Sequence, residues 1–131
     1  MTLSVLYVDD DDDIRHVAAL SLGLDPMLAV RVAASGREAL EMIDAGWVPD
    51  VALLDVMMPG MDGMELLERL RARRETSAVP VLFMTARGRS ADVADYKARG
   101  AVGVIVKPFD PLGLARQLRD VLDAQDERAR A

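Results

Sequence analysis

Val51-Ala52-Leu53-Leu54-Asp55-Val56-Met57-Met58-Pro59-Gly60-Met61-Asp62-Gly63 is an apolar run that stops at a lone carboxylate and passes into turn residues. Four branched or small apolar residues, then Asp, then Pro-Gly and Asp-Gly, read as a buried strand that delivers one acid to the rim of a sheet. Taken by itself, an Asp that merely caps the turn is the simpler explanation. Only the rest of the chain lifts Asp55 above it.

Toward the N-terminus, Leu3-Ser4-Val5-Leu6-Tyr7-Val8 is another short apolar strand, and it ends in five consecutive carboxylates, Asp9 to Asp13. From Ile14 the apolar spacing becomes helical, with Ile14, Val17, Ala18 and Ser21 on the inward side and Asp12 or Asp13 at the N-cap. Gly23 and Asp25-Pro26 end that helix. Leu28 to Ala33 reads as a second strand, and its alternating Arg31 suggests a sheet edge with one wetter face. Ser35-Gly36 opens a helix with Ala39, Leu40, Ile43 and Trp47 inward, which Pro49-Asp50 breaks.

Toward the C-terminus, Met64, Leu67 and Leu70 recur at helical spacing and lead into Arg69, Arg71, Arg73 and Arg74, a basic cluster read as a solvated helix end. Val79 to Met84 is a strand ended by Thr85. A weak helix follows over Ser90 to Arg99 with only Ala91, Ala94 and Ala98 as its apolar stripe, and it is expected to be the most mobile. Val102 to Val106 is the last strand, ending at Lys107-Pro108, and Leu114, Leu118, Val121 and Leu122 mark a final amphipathic helix. Residues 1–123 are expected to form one domain and residues 124–131 a polar, frayed tail.

Composition bounds the function. At 131 residues with 51% apolar and 29% charged side chains, one globular core is expected, and with aromatics at 4% it must be built from aliphatic residues and eight Met. A net charge of −6 offers no basic stripe for a phosphate backbone, so no direct nucleic-acid binding is expected. The absence of Cys excludes disulfide and thiolate chemistry. The N-terminus lacks a basic segment followed by a long apolar one, and no apolar run suits a membrane span, so a cytoplasmic protein without membrane insertion is expected.

Five strands alternating with five helices imply an α/β fold: a doubly wound parallel sheet covered on both faces, because strands this apolar cannot leave a face in water. The flavodoxin-like order 2-1-3-4-5 suits the less apolar second strand at an edge and puts the ligand crevice between the first and third strands, at their carboxyl ends. The polar residues can then be read together: Asp9-Asp10, Asp55, Thr85 and Lys107 end four different strands on one edge, where neighbouring strands lie roughly 4.8 Å apart. Carboxylates so close repel one another unless a cation shares them. Oxygen ligands without His or Cys favour Mg²⁺, with Mn²⁺ or Ca²⁺ possible, and Mg²⁺ commonly bridges to phosphate. Lys107 supplies a point charge and Thr85 a hydroxyl for phosphate oxygens, and Asp55 is placed as a carboxylate nucleophile that would become an aspartyl phosphate. Asp11, Asp12 and Asp13 are read as capping and solvated residues, and His16 as a surface residue.

From Leu3 to about Leu122 the sequence resembles a receiver domain of bacterial two-component response regulators, through Val8-Asp9-Asp10, Asp55 to Gly63, Thr85-Ala86 and Lys107-Pro108-Phe109. The resemblance implies that Asp55 takes phosphate from a sensor histidine kinase or a histidine phosphotransfer protein. It also implies that Asp9, Asp10, Asp55 and the backbone carbonyl of Met57 hold Mg²⁺, that Thr85 and Lys107 read the phosphoryl group, and that the Lys107-Pro108 peptide is cis. Phosphorylation would then reshape the surface of the fourth helix, fifth strand and fifth helix for a downstream protein partner, in a monomer or weak dimer. The chain would be no enzyme beyond promoting its own phosphotransfer and autodephosphorylation.

One departure stands out. The family commonly carries an aromatic residue on the fifth strand that moves with the Thr, and here that position is Val104, whose stiff β-branched side chain cannot make such a swing. Met57 and Arg87, each two residues beyond a site residue, are expected to flank the path of the hydrolytic water. Two rivals are carried: a phosphorylation-independent receiver-like interaction module, supported by Val104 alone, and a metal-dependent aspartyl phosphohydrolase, which usually has a second acid where this chain has Met57. No output domain follows the fifth helix, so the chain is read as a stand-alone receiver or a piece of a longer regulator.

Overall fold

Each apolar run becomes a parallel strand because neither side of it tolerates water. In the computed structural model, which describes residues 2–130 with side chains to residue 128, β1 (Leu3–Val8), β2 (Leu28–Ala33), β3 (Val51–Asp55), β4 (Val81–Thr85) and β5 (Gly103–Val106) alternate with α1 (Asp12–Gly23), α2 (Gly36–Asp44), α3 (Gly63–Arg71), α4 (Ser90–Ala98) and α5 (Leu114–Arg130). The five strands form one parallel sheet in the order β2-β1-β3-β4-β5, the order expected.

Strand periodicity divides the core into two layers. Leu6, Val8, Leu54, Val81 and Phe83 point to the face covered by α2, α3 and α4, where they meet Leu40, Ile43, Leu66, Leu70 and Tyr96. Val5, Tyr7, Leu53, Leu82, Met84 and Ile105 point to the face covered by α1 and α5, against Ala18, Leu22, Leu114 and Leu118. All five residues of β3 are buried, so Asp55 is the end of a strand enclosed on both sides. Register sets Val8 beside Leu54 and Asp55 beside Met84, which aligns the carboxyl ends of β1, β3 and β4.

Several local readings are corrected. The N-cap of α1 is Asp11, not Asp12 or Asp13; its carboxylate accepts the N–H groups of Asp13 and Ile14, both at 3.0 Å, because the helix starts one residue earlier than its apolar spacing suggests. Val17 is exposed, and α1 buries Ala18, Ser21 and Leu22 instead. Trp47 lies beyond α2, half-buried against the core, with the Arg31 guanidinium 5.0 Å from its ring. β4 begins at Val81 and β5 at Gly103.

In α4 the anchor is Tyr96, not the alanines: Ala91, Ala94 and Ala98 are exposed, while Tyr96 is buried edge-on against Phe83, ring centroids 5.2 Å apart. α5 continues as helix to Arg130, through the segment expected to be a frayed tail. Arg71 is no solvated helix end. Its guanidinium donates to the Val79 carbonyl at 2.7 Å and reaches those of Thr76 and Gly100, tying the α3–β4 loop to the end of α4; burial lowers its pKa. Arg73 pairs with Asp44, linking α3 to α2.

The turn after Asp55 is tight. Gly63 opens α3 so close to the strand end that a Cβ there would lie 2.4 Å from the Asp55 carbonyl oxygen. Asp62 caps the helix through the Glu65 N–H at 2.8 Å, and Gly60 takes a φ of 77°, which glycine adopts without a steric cost. The residues read as turn signals are what let the chain reverse beneath the carboxylate.

Candidate functional site

The carboxyl ends of the strands open into a cleft of about 270 Å³ lined by Asp9, Asp10, Asp55, Met57, Thr85 and Lys107, together with Asp11, Ile14 and Ala86. The strand-end residues singled out from the sequence, and Met57, therefore face one space, as the alignment of the strand ends requires, while Arg87 is not among its lining residues.

Asp9 has no solvent exposure and Asp55 only 5%, while Asp10 is exposed. Each of the three offers a carboxylate oxygen within 4.8 Å of the others. Lys107 bridges the two buried acids, with Nζ at 3.2 Å from both Asp9 Oδ2 and Asp55 Oδ1. One ammonium is thus shared by two carboxylates, with a third nearby. Burial, then the charge of Asp9, push the Asp55 carboxyl up to about 6, against the pull of Lys107. For Lys107, burial lowers its pKa, but Asp9 and Asp55 together outweigh it and the net shift is upward.

Thr85, 2% exposed, ends β4 with its hydroxyl accepting the Arg87 N–H at 3.0 Å. That bond holds the first turn of the β4–α4 loop, and Gly88 farther along lies so close to β5 that a Cβ would meet the Val106 side chain at 2.4 Å. Met57 is 66% exposed at the mouth of the cleft, and Arg87 is exposed beside it in sequence from Thr85. His16 is exposed, as expected. The Lys107-Pro108 peptide is cis. Val104 pairs with Phe83 across β4 and β5 and packs half-buried on the α4 side, where the buried aromatic rings are Phe83 from β4 and Tyr96 from α4.

Two contributors escaped the sequence reading. The Tyr7 hydroxyl donates to Asp9 Oδ2 at 2.7 Å, and burial together with Asp9 pushes that hydroxyl far above its usual range, so it stays protonated. Arg15, on the first turn of α1, donates to the Asp9 backbone carbonyl at 2.9 Å. The available signal was period: Tyr7 lies two residues before Asp9, hence on the same side of β1. It was masked because a tyrosine in an apolar strand also reads as core.

The comparisons with known proteins agree with this geometry. The family described as "Response regulator receiver domain" matches residues 5–119. The chain belongs to the response regulator receiver domain family. It is 43% identical over 118 residues to the transcriptional regulatory protein CseB of Streptomyces coelicolor, covering 90% of this chain and 48% of that protein. It is 32% identical over 124 residues to the chemotaxis protein CheY1 of Helicobacter pylori, covering 95% of this chain and all of that one. Among solved structures, the chemotaxis response regulator CheY4 of Vibrio cholerae superposes with a TM-score of 0.82 at 36% identity, covering 92% of this chain and 99% of that one. The receiver spans about half the length of CseB. Among the described residues no helix is long and apolar enough to cross a membrane.

The donor set of this receiver suits a hard divalent cation: three carboxylates, two of them buried, with a raised Asp55 that a cation would relieve. A pH dependence follows. Asp55 titrates near its ordinary 3.8 when unfolded and near 6 when folded. Between those values the folded chain holds more protons than the unfolded one, so stability falls as pH rises through the window. The expected loss from this group is about 1–2 kcal/mol, less than the full shift implies because the cleft opens to water. Urea titrations from pH 4 to pH 7 without divalent cations check it; the decline should vanish in Asp55→Asn.

Proposed function

We propose that this receiver is a phosphorylation-dependent switch in which Asp55 takes a phosphoryl group from the phosphohistidine of a sensor kinase or histidine phosphotransfer protein. The observation that carries the reading is the clustering of Asp9, Asp10 and Asp55 around one lysine in an open cleft. An ionised Asp55 oxygen attacks phosphorus; the new O–P bond forms as the donor N–P bond breaks, and that electron pair returns to the donor imidazole. Asp9, Asp10, Asp55 and the Met57 carbonyl would hold Mg²⁺, or Mn²⁺ in its place. When bound, the ion neutralises the carboxylates and polarises the phosphoryl oxygens. Lys107, on its flexible stem, turns from Asp55 to a phosphoryl oxygen, and Thr85 donates its hydroxyl proton to another.

The surface follows from the loop. Drawing the Thr85 hydroxyl inward breaks its bond to Arg87 and lifts the Gly88 turn off Val106, which moves the start of α4. α4 has no side-chain N-cap bond and buries one side chain, Tyr96, so little holds it. With Val104 on β5, the change leaves through this loop and the α4–β5–α5 face toward a downstream protein partner, in the cytoplasm, with the chain a monomer or weak dimer. It acts on no separate substrate and promotes only its own phosphorylation and dephosphorylation. A phosphorylation-independent interaction module is the second reading, favoured by Val104 alone.

Intact-protein mass measured after incubation with Mg²⁺ and acetyl phosphate or phosphoramidate tests the proposal. One added phosphoryl mass is expected, and an unmodified wild-type chain under these conditions sinks it. Met57 lines the cleft, where water must enter to hydrolyse the acyl phosphate, and exposed Arg87 lies two residues beyond Thr85 on the loop that leaves it. Replacing Met57 with serine should open that path and speed dephosphorylation several-fold, about 1 kcal/mol of barrier; replacing Arg87 with serine should also change the rate. Decay of phosphoprotein after donor removal measures both, and unchanged rates reject the assignment.

A further inference from the structure

Asp9 is the most fully held side chain of the site. Its Oδ1 accepts the Asp11 N–H at 3.0 Å, and its Oδ2 accepts two donors, the Tyr7 hydroxyl at 2.7 Å and Lys107 Nζ at 3.2 Å. The two donors to Oδ2 are unequal. Lys107 is also 3.2 Å from Asp55, so any anionic group attached there competes for it. Tyr7 cannot follow: it lies mid-strand, fully buried among Leu22, Leu53 and Met84. Its other polar neighbour is Met84 Sδ at 3.5 Å, a weak acceptor, so its single proton belongs to Asp9. An aliphatic residue would fill the same core position, and packing alone gives no reason for the hydroxyl. A buried carboxylate whose ammonium partner turns away needs a second donor, or its oxygen is left unpaired at considerable cost.

We propose that Tyr7 is a positioning residue of the phosphoacceptor site, whose hydroxyl holds the Asp9 carboxylate in its metal-binding orientation and keeps it paired when Lys107 turns toward a phosphoryl group on Asp55. The inference rests on the Mg²⁺-assisted reading given above and adds to it a residue outside the acidic cluster. Outer partners of metal-binding carboxylates fix ligand orientation, and removing one typically weakens metal affinity by about 10- to 100-fold.

Tyr7→Phe keeps the ring and deletes one oxygen. Calorimetric titration of the metal-free protein with MgCl₂ should give a dissociation constant roughly 10-fold weaker than wild type for Tyr7→Phe. Tyr96→Phe, which deletes a hydroxyl from the other buried tyrosine on the far face of the sheet, should bind like wild type. Far-UV circular dichroism identical to wild type identifies both variants as folded, and the Mg²⁺ affinity is a readout that core packing by the retained ring does not move. If wild type binds Mg²⁺ and Tyr7→Phe binds within about twofold of it, the inference is overturned while the phosphoacceptor reading stands. If wild type binds no Mg²⁺, both fall.

Discussion

Asp55→Asn is expected to abolish phosphoryl incorporation while leaving the fold intact and the metal-free protein more stable. The amide has no anionic oxygen to attack phosphorus, and no other described side chain in the cleft combines burial, an anionic oxygen and an adjoining ammonium in the same way: Asp9 is enclosed with both oxygens hydrogen-bonded, and Asp10 is exposed, with Lys107 paired to Asp9 and Asp55 instead. Acetyl phosphate with Mg²⁺ should add one phosphoryl mass to wild type and none to the variant. Retention of that mass in Asp55→Asn would place the phosphoryl group elsewhere. The gain in stability has a separate origin. At neutral pH the wild-type carboxylate is ionised although its surroundings push its pKa to about 6, and the neutral amide removes that conflict, worth about 1–2 kcal/mol after allowance for solvent. A urea midpoint that falls instead of rising would show that the charge is already compensated.

Lys107→Met is expected to act in the opposite direction. It preserves the length of the stem and removes the single ammonium 3.2 Å from both Asp9 and Asp55, leaving two buried carboxylates face to face. Removing one partner of a fully buried pair costs about 3–5 kcal/mol, and because the Lys107 end of the pair reaches water the expected loss here is about 2–3 kcal/mol at pH 7.5. The loss should shrink at pH 5, where Asp55 can take a proton, and Mg²⁺ should restore more stability to Lys107→Met than to wild type, because the cation replaces the missing charge. Urea unfolding at the two pH values, with and without Mg²⁺, tests this. An equal loss at both would mean that packing of the stem, not charge, is what the lysine provides.

The two substitutions describe one electrostatic arrangement. The cleft holds three carboxylates around one lysine, an imbalance that a cation or a proton on Asp55 would relieve. In the proposed switch, a phosphoryl group on Asp55 would redistribute Lys107 and Thr85, whose side chains reach the cleft without being fixed, as Tyr7 is, within the core.

Much of this was legible in the sequence, for a definite reason. Strands that are apolar on both faces can only be stacked in a covered parallel sheet, and such a sheet lines up its carboxyl ends; Asp9, Asp10, Asp55, Thr85 and Lys107 each follow such a run directly, so their meeting is a consequence of strand period and handed crossover. The order 2-1-3-4-5 followed in the same way from the weaker second strand. Helix faces were read less well where few apolar residues mark them: in α4 the regular alanines drew attention from Tyr96, whose single large ring buries more area than all of them and decides which face packs.

Tertiary structure decided what depends on direction and competition, which no spacing encodes. That Arg71 serves three backbone carbonyls, that Asp11 rather than its acidic neighbours caps α1, and that Tyr7 spends its hydroxyl on Asp9 are outcomes of which acceptor lies within reach once the chain is closed. Asp55 itself shows the division. Its place at the end of a buried strand was written in Val51 to Gly63, but its raised pKa was not: that arises from burial and from Asp9, 46 residues away in the chain, against the pull of Lys107, 52 residues away, all brought to it by the sheet.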